Sequence, residues 1–439
     1  MDVRLIGHAS VIVDTGDVRI WCDPWLTGKV FNESWTLFPS PHFEPEWLDE
    51  IDYLWISHEH PDHFNIPTLR GLPDEFKQRV TILFQQNTSQ KMFDAFSKFG
   101  FPNQLALHDR KIVRLSPTSE IYCFECGLMD SCLGVRTPDA MVLNVNDAPV
   151  NRADCKRMRN DFGSPDILIN QFSIAGYGGF EDAEVRLREM AHDHLALMHE
   201  NHRDLGAGVT VPFASFVLFS CEDNAYVNPL ANRPRDVLEF FAERGDDVAV
   251  LYPGDCMTVA ESWDSSEALR RFDADYAELD RFEFDHVVST DIETMRSAFE
   301  KLSVDLRSKY PGFVLHRLAP VRAWLPDLET GVIFHLASGG FEVGGSEAEA
   351  GLIVNSQPLT FAFSTPFGVQ TLGVSARFQL RGDTRNWQRH RMLMALYNAE
   401  ITMRLRDLFS LTNWRYLASR SVALVSQLRT RLAYIRMGR

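Results

Sequence analysis

No stretch of this 439-residue sequence stays apolar over the roughly 20 residues that a membrane-crossing helix requires, so no segment is a candidate for one. Cysteine is scarce. There are seven, an odd number without the spacing of a disulfide framework, which fits a reducing compartment. The CxxC at Cys123-Phe124-Glu125-Cys126 has no second pair to complete a thiolate zinc site, and it reads as packing within a strand beside Tyr122. Positive charge also falls short. The chain carries 44 Lys and Arg against 60 Asp and Glu, a net charge of −16, whereas a phosphate backbone selects basic surfaces. Nucleic acid is therefore set aside as a partner. Met1-Asp2-Val3-Arg4-Leu5 leads straight into a strand pattern with no apolar leader, and the chain reads as cytoplasmic. What remains is 45% hydrophobic, the composition of a globular protein with one large or two medium domains.

Chemistry is concentrated in Trp55-Ile56-Ser57-His58-Glu59-His60-Pro61-Asp62-His63. Three histidines and an aspartate fall within nine residues, directly after the apolar run Ile51 to Ile56, so a buried strand ends here in a tight polar turn. His58 and His60 are two apart. In extended backbone they project to the same side and can grip one metal ion, while Asp62 and His63 offer an oxygen and a nitrogen to a second ion beside it.

The pattern His58-x-His60-x-Asp62-His63 resembles the metal-binding signature of the metallo-β-lactamase fold family. That resemblance implies an α/β architecture, a four-layer αββα sandwich with a dinuclear site at one edge. Gly7-His8-Ala9-Ser10, Asp23-Pro24-Trp25-Leu26 and Asn144-Val145-Asn146-Asp147 fall where the family places matching elements. Among its branches, the sequence is most similar to the one containing CMP-N-acetylneuraminate hydroxylase. The similarity rests on Asp23 to Gly28, Trp55 to His58, Leu143 to Asp147, Asn170-Gln171-Phe172-Ser173 and Val211-Pro212-Phe213-Ala214, with a fainter echo at Tyr252-Pro253-Gly254-Asp255.

The resemblance also implies roles. His8 and Asp23 would lie near the metals and orient ligands by hydrogen bonding, although each also reads as an ordinary turn residue. Asp147 would bridge both ions. Asp130 lies 17 residues before Asp147, about where many family members carry a third histidine for the first ion. A carboxylate there hardens the site and suits iron better than zinc, and diiron hydroxylases of the same fold are similar in this. Against it stand a turn-capping role for Asp130 and the rival ligands Glu120 and Glu125. Pro212 occupies the point where many relatives place the last histidine of the second ion, so that ligand stays open, with Glu222 and Asp223 as nearby candidates.

Residues 2–26 read as a hairpin meander, and Gly28 to Pro45 as an aromatic-rich loop that walls the substrate pocket. The helix expected over Glu181 to Leu205 carries His192, His194, His199 and His202 among many charges, so these read as a solvated face. A metal-binding domain is expected over 1–260 and a small α+β domain over 285–439. The latter reads as a helix from Thr290 to Tyr310, then strands at Val332–Leu336, Ala350–Asn355, Leu359–Phe363 and Gln370–Phe378. From Arg381 to Arg439 twelve arginines face three acids on helices with apolar faces, suited to packing on the acidic body or on a second copy in a homodimer, or to docking an anionic substrate, carrier or membrane surface.

Two functions compete for these residues. The first is a non-haem diiron oxygenase with His58, His60 and Asp130 on one iron, Asp62 and His63 on the other, and Asp147 between them. It would hydroxylate a small or carrier-bound metabolite. The second is a hydrolase in which two zinc or manganese ions activate water against a phosphoester, lactone or amide. The animal hydroxylase of the similar branch carries a Rieske domain with paired Cys-x-His and Cys-x-x-His ligands. This sequence has neither, so an oxygenase would draw electrons from an external ferredoxin or reductase.

Overall fold

The computed structural model describes residues 1–86, 90–127, 129–398 and 402. Among these, one sheet of seven strands runs in the spatial order Cys256–Thr258, Asp2–Gly7, Ser10–Asp14, Arg19–Cys22, Tyr53–Ile56, Thr81–Gln85 and Gln104–Leu107. The expected meander forms its antiparallel half. From Arg19–Cys22 onward neighbouring strands are parallel, and parallel pairing needs crossovers, here the helices Ile66–Gly71, Asp74–Arg79 and Lys91–Lys98. A second sheet has six strands in the order Val209–Phe213, Ile167–Gln171, Met141–Asn146, Asp130–Arg136, Glu120–Cys126 and Ile112–Arg114.

Strands apolar on both faces explain why the sheets stack. In extended backbone alternate side chains point to opposite faces. Ile20, Cys22, Trp55 and Leu83 of the first sheet share one core with Ile121, Leu133, Val142 and Ile169 of the second. Their neighbours Trp21, Leu54, Ile56, Ile82 and Phe84 face outward under the crossover helices, with Phe76 and Phe96. Leu143, Val145 and Leu168 face the helix Arg152–Phe162 through Met158 and Phe162. The result is helix, sheet, sheet, helix, the expected αββα sandwich. Shortening a side chain such as Leu54, fully buried between strand and helix, costs about 2–5 kcal/mol.

The C-terminal part differs from its sequence reading. Ile292–Lys309 is a helix, started by Asp291, whose carboxylate accepts from Thr294 N at 2.9 Å. Thr330–His335 and Leu352–Val354 are strands as expected. Leu359–Phe363, however, falls within the helix Ser356–Ser364 and most of Gln370–Phe378 within the helix Gly368–Ser375, and Val321–Leu325, Gly340–Val343 and Phe378–Leu380 complete a five-stranded sheet. A short apolar run has no period that separates strand from buried helix. Ser356–Ser364 is such a case, with Leu359, Ala362 and Phe363 all buried. Val248–Tyr252 forms no ladder beyond the bridge of Val248 to Thr210. The arginine-rich helices expected after Asn398 lie outside the described residues, apart from Thr402.

The two parts of the chain share a core. Phe299, Leu302, Phe334 and Leu359 cluster with Trp25 and with Phe31 and Trp35 of the aromatic loop. Polar groups tie the same loop: Asn32 and Gln357 exchange amide hydrogen bonds of 2.9 and 2.8 Å. Phe31, Asn32 and Glu33 hold φ of 53°, 61° and 59°, a left-handed run that non-glycine residues keep only where the surroundings impose it.

Candidate metal centre

Several strands end at one edge of the sandwich, and the residues just past their ends make the site. Asp23 follows Arg19–Cys22, Ser57 to His63 follow Tyr53–Ile56, Asp147 follows Met141–Asn146, and His8 sits in the turn between the first two strands. Asp130 opens its strand. The register pairs Leu133 with Asn144 and Gly134 with Leu143, so continuing it three residues sets Asp130 opposite Asp147. Asp23, Asn146 and Ala214 all have positive φ at this rim, 42°, 47° and 48°, conformations that accumulate at functional edges.

Three clusters of ligand-type atoms lie close enough for a shared cation: His58, His60 and Asp130; His58, His63 and Asp147; and His8, Asp62 and His63. His58 Nε2 is 2.8 Å from His60 Nδ1, 3.8 Å from Asp130 Oδ1 and 3.9 Å from Asp147 Oδ2. His63 Nε2 is 3.4 Å from Asp147 Oδ1 and 3.5 Å from Asp62 Oδ2, and His8 Nε2 is 3.2 Å from the same Asp62 oxygen. His8, His58, His60, Asp62, His63, Asp130 and Asp147 are thus gathered here, with Asp23 one step behind.

Asp23 and Ser57 set the tautomers. His63 Nδ1 donates to Asp23 Oδ2 at 2.8 Å, which leaves Nε2 facing the acids. Ser57 Oγ donates to the same oxygen at 2.7 Å and accepts from His58 Nδ1 at 3.0 Å, which frees His58 Nε2 likewise. Ser57 N donates to Asp23 Oδ1 at 2.7 Å, and Ser131 Oγ and Gln85 Nε2 close on Ser57 O at 2.7 and 3.1 Å. Sequence reasoning gave Ser57 no role; its position between strand and His58 was the available signal.

The electrostatics ask for positive charge. Burial opposes charge on His63, yet the carboxylates of Asp147, Asp62 and Asp23 outweigh it and hold its pKa well above the usual imidazole range. Burial, then the neighbouring charge of His63, pushes His58 well below that range. Burial and the facing Asp147 carboxylate push Asp130 up to about 7. Asp62 is held down to about 2, because His63 and the hydrogen bond from His8 overcome its burial. Asp62 Oδ1, His63 Nε2 and Asp147 Oδ1 are buried without a hydrogen-bond partner. Buried polar atoms are nearly always paired, so orphaned His63 Nε2 and Asp147 Oδ1, 3.4 Å apart and beside Asp62, fit a metal ion.

Other candidates fall away. Glu120 is engaged by Arg136 at 2.7 Å and Arg114 at 3.0 Å, six residues along the strand pair from Asp130. Glu222 meets His286 at 2.7 Å, and Asp223 is taken by buried Arg377 and by Asn355, each at 2.8 Å. The helix Ala183–Leu205 does not present four solvated histidines: His192 is exposed, but His202 is buried against Phe241 and bonded to Thr210 Oγ1 at 2.9 Å, and His199 meets Asp246 at 2.7 Å. Cys123 and Cys126 are buried, free thiols, as strand packing predicts. A cleft of 770 Å³ lined by Glu293, Lys301, Phe363 and Tyr397 lies in the C-terminal part and contains none of the clustered ligands. Trp35 and Phe31 of the aromatic loop lie beside the centre, with ring centroids 6.4 Å from His8 and 6.3 Å from His60, and Trp25 just before the loop stands 5.4 Å from His8. Among the described residues no helix is long and apolar enough to cross a membrane.

Residues 2–134 match the model of a beta-lactamase superfamily domain. The chain is similar to cytidine monophosphate-N-acetylneuraminic acid hydroxylase of Asterias rubens, 42% identical over 241 residues, 52% of this chain and 36% of that protein. The Danio rerio hydroxylase is 30% identical over 191 residues, 40% of this chain and 29% of its own. A Mycobacterium tuberculosis protein described as a Rieske 2Fe-2S iron-sulfur protein is 30% identical over 187 residues, 40% and 35% of the two chains. The chain thus spans about a third of the length of the curated relatives it matches. Among solved structures, a CmlA beta-hydroxylase mutant is similar at TM-score 0.43 and 15% identity over 58% of this chain and 53% of that one. An isothiocyanate hydrolase from Delia radicum gut bacteria is similar at TM-score 0.42 and 14% identity over 59% and 98%. The sandwich has the metallo-β-lactamase fold, residues 2–134 match the superfamily's domain, and hydroxylases are among the proteins the chain is similar to.

Proposed function

We propose that the chain is a dinuclear-metal oxygenase that uses iron to hydroxylate a small or carrier-bound metabolite. The observation that carries this reading is Asp130, a carboxylate beside His58 and His60 and across the register from Asp147. Oxygen donors favour harder and more highly charged ions than imidazoles do. Ionised, Asp23, Asp62, Asp130 and Asp147 supply four negative charges around the imidazoles of His8, His58, His60 and His63, the complement of two divalent ions. Bound there, two redox-active ions would supply the activation of dioxygen. The chain's own residues do the rest. Asp23 and Ser57 hold the imidazole tautomers, the Trp25, Phe31 and Trp35 rings limit water, and the less buried side at His60 and Asp130 admits substrate. The similarity to CMP-N-acetylneuraminic acid hydroxylases supports the same reaction class.

The balance is R–H plus dioxygen, two electrons and two protons giving R–OH and water. The electrons would come from a separate ferredoxin-type donor or reductase. The same donors also suit two zinc or manganese ions that lower the pKa of a bound water, and the nitrogen-rich trio His58, His60 and His63 favours this hydrolase as the second reading. Elemental analysis of protein made without added metal tests the choice. About two irons per chain and reductant-dependent oxygen uptake are expected; two zincs and no oxygen uptake would replace the oxygenase with the hydrolase.

A further inference from the structure

We propose that His8 is a direct ligand of the second metal ion, taking the place left open by Pro212. The inference rests on the dinuclear reading above and completes its ligand set. After Asp62, His63 and Asp147, the second ion lacks a fourth donor. Pro212 has no ligating side chain, and Glu222 and Asp223 are engaged elsewhere. His8 reaches the vacancy from the opposite sheet. Its backbone oxygen accepts from Ala214 N at 2.9 Å, so the turn carrying His8 is stitched to the end of the strand Val209–Phe213.

His8, Asp62 and His63 offer ligand atoms that all lie within 4.8 Å of one another, and His63 is shared with Asp147. For a tetrahedral ion with bonds of about 2.1 Å, donor atoms stand about 3.4 Å apart. His8 Nε2 to Asp62 Oδ2 is 3.2 Å, Asp62 Oδ2 to His63 Nε2 is 3.5 Å, and His63 Nε2 to Asp147 Oδ1 is 3.4 Å. His8 is 2% exposed, and its ring is fixed edge-on to Trp25 and Trp35 at 77° and 67°. Buried polar atoms of both neighbours, Asp62 Oδ1 and His63 Nε2, have no partner. An imidazole serving only to orient Asp62 would leave the second ion one donor short at the most enclosed part of the centre.

The His8→Gln variant separates ligand from positioning group. Glutamine keeps an N–H for Asp62 but replaces an imidazole with a poor metal ligand. Ferrous iron and, separately, zinc would be titrated into chelator-treated parent and variant, with stoichiometry and affinity read by elemental analysis and competition with a chromophoric chelator. The parent is expected to take two ions. The variant should keep the first within about threefold and bind the second at least 100-fold more weakly, with far-ultraviolet circular dichroism unchanged. A variant that binds both ions within about threefold of the parent overturns the inference and leaves the dinuclear reading standing. A parent that takes fewer than two ions removes both. If the Gln variant does not fold, His8→Asn is titrated in its place, with the same two outcomes.

Discussion

The two ends of the metal centre are made of the same residue types yet held in different ways. His8, Asp62 and His63 are all buried, whereas around His58 the His60 and Asp130 side chains are partly open. Burial makes each unpaired atom expensive, so the closed end is braced: Asp23 holds His63, Ser57 holds Asp23, and His8 holds Asp62. The open end has less bracing and more strain. Its Asp130 is pushed up to about 7 by burial and by Asp147, while Asp62 at the closed end is held down to about 2 by His63 and His8 despite its burial. The closed end is therefore organised for charge in advance, with Asp62 Oδ1 and His63 Nε2 left for a cation, and the open end holds a carboxyl that keeps its proton until a cation arrives. That division suits a centre in which one ion is a fixed base and the other faces the incoming reactants.

Asp147 touches both ends, so its loss should erase the difference between them. Asp147→Ala is expected to drop metal content from two ions per chain to fewer than one, and turnover by at least about 1,000-fold, because metal-bound charge is the largest catalytic contribution such a site makes. Elemental analysis beside a turnover assay reads both. Two retained ions would mean that the ends do not share this carboxylate.

Asp23→Ala should strike the closed end alone. It frees the His63 ring and leaves Ser57 Oγ without its acceptor, and loss of such an orienting partner costs about 10–100-fold in metal affinity. The second ion should weaken by that factor, while the first changes by less than about threefold. Equal weakening of both would show that Ser57 transmits the loss to His58.

Asp130→His should change the open end in kind. It trades an oxygen for a nitrogen, so two ions stay but the iron-to-zinc ratio is expected to fall about tenfold and oxygen uptake with it. If Asp130 only caps its turn, the ratio stays where it was and the variant loses about 1 kcal/mol of stability.

The difference between the two ends also marks what the sequence made legible. His58, His60, Asp62 and His63 are local, and the loop and turn just past Ile56 bring them together. Asp130 facing Asp147 needed the antiparallel register, which a 17-residue spacing does not reveal. Ser57 was invisible because a serine gains meaning only once the Asp23 turn folds onto it. The αββα layers followed from strands apolar on both faces. In the C-terminal part the same cue misled, since Leu359–Phe363 is apolar whether it is a strand or, as found, one side of a helix buried between the sheet and Phe299. His202 went wrong for a related reason: a long charged helix still has a buried face, and His202 lies on it.

The remaining effect expected is one of pH on the metal-free protein, and it isolates the strain of the open end. A carboxyl raised from the ordinary 3.8 to about 7 keeps its proton in the folded state after the unfolded chain has released it. Between about pH 4 and pH 7 the native state therefore binds more protons than the unfolded one, and Asp130 makes stability fall as pH rises. Asn at this position carries no such penalty. In chelator-treated protein, Asp130→Asn should match the parent near pH 4 and be more stable above pH 7, by on the order of 2 kcal/mol. With ferrous iron restored the order should reverse, since the carboxylate now has its cation. Urea unfolding at pH 4.5, 6 and 8, with and without iron, measures both arms. A difference between variant and parent that does not grow with pH in the metal-free arm would show that Asp130 is already at ease without a metal, and that the two ends are held alike.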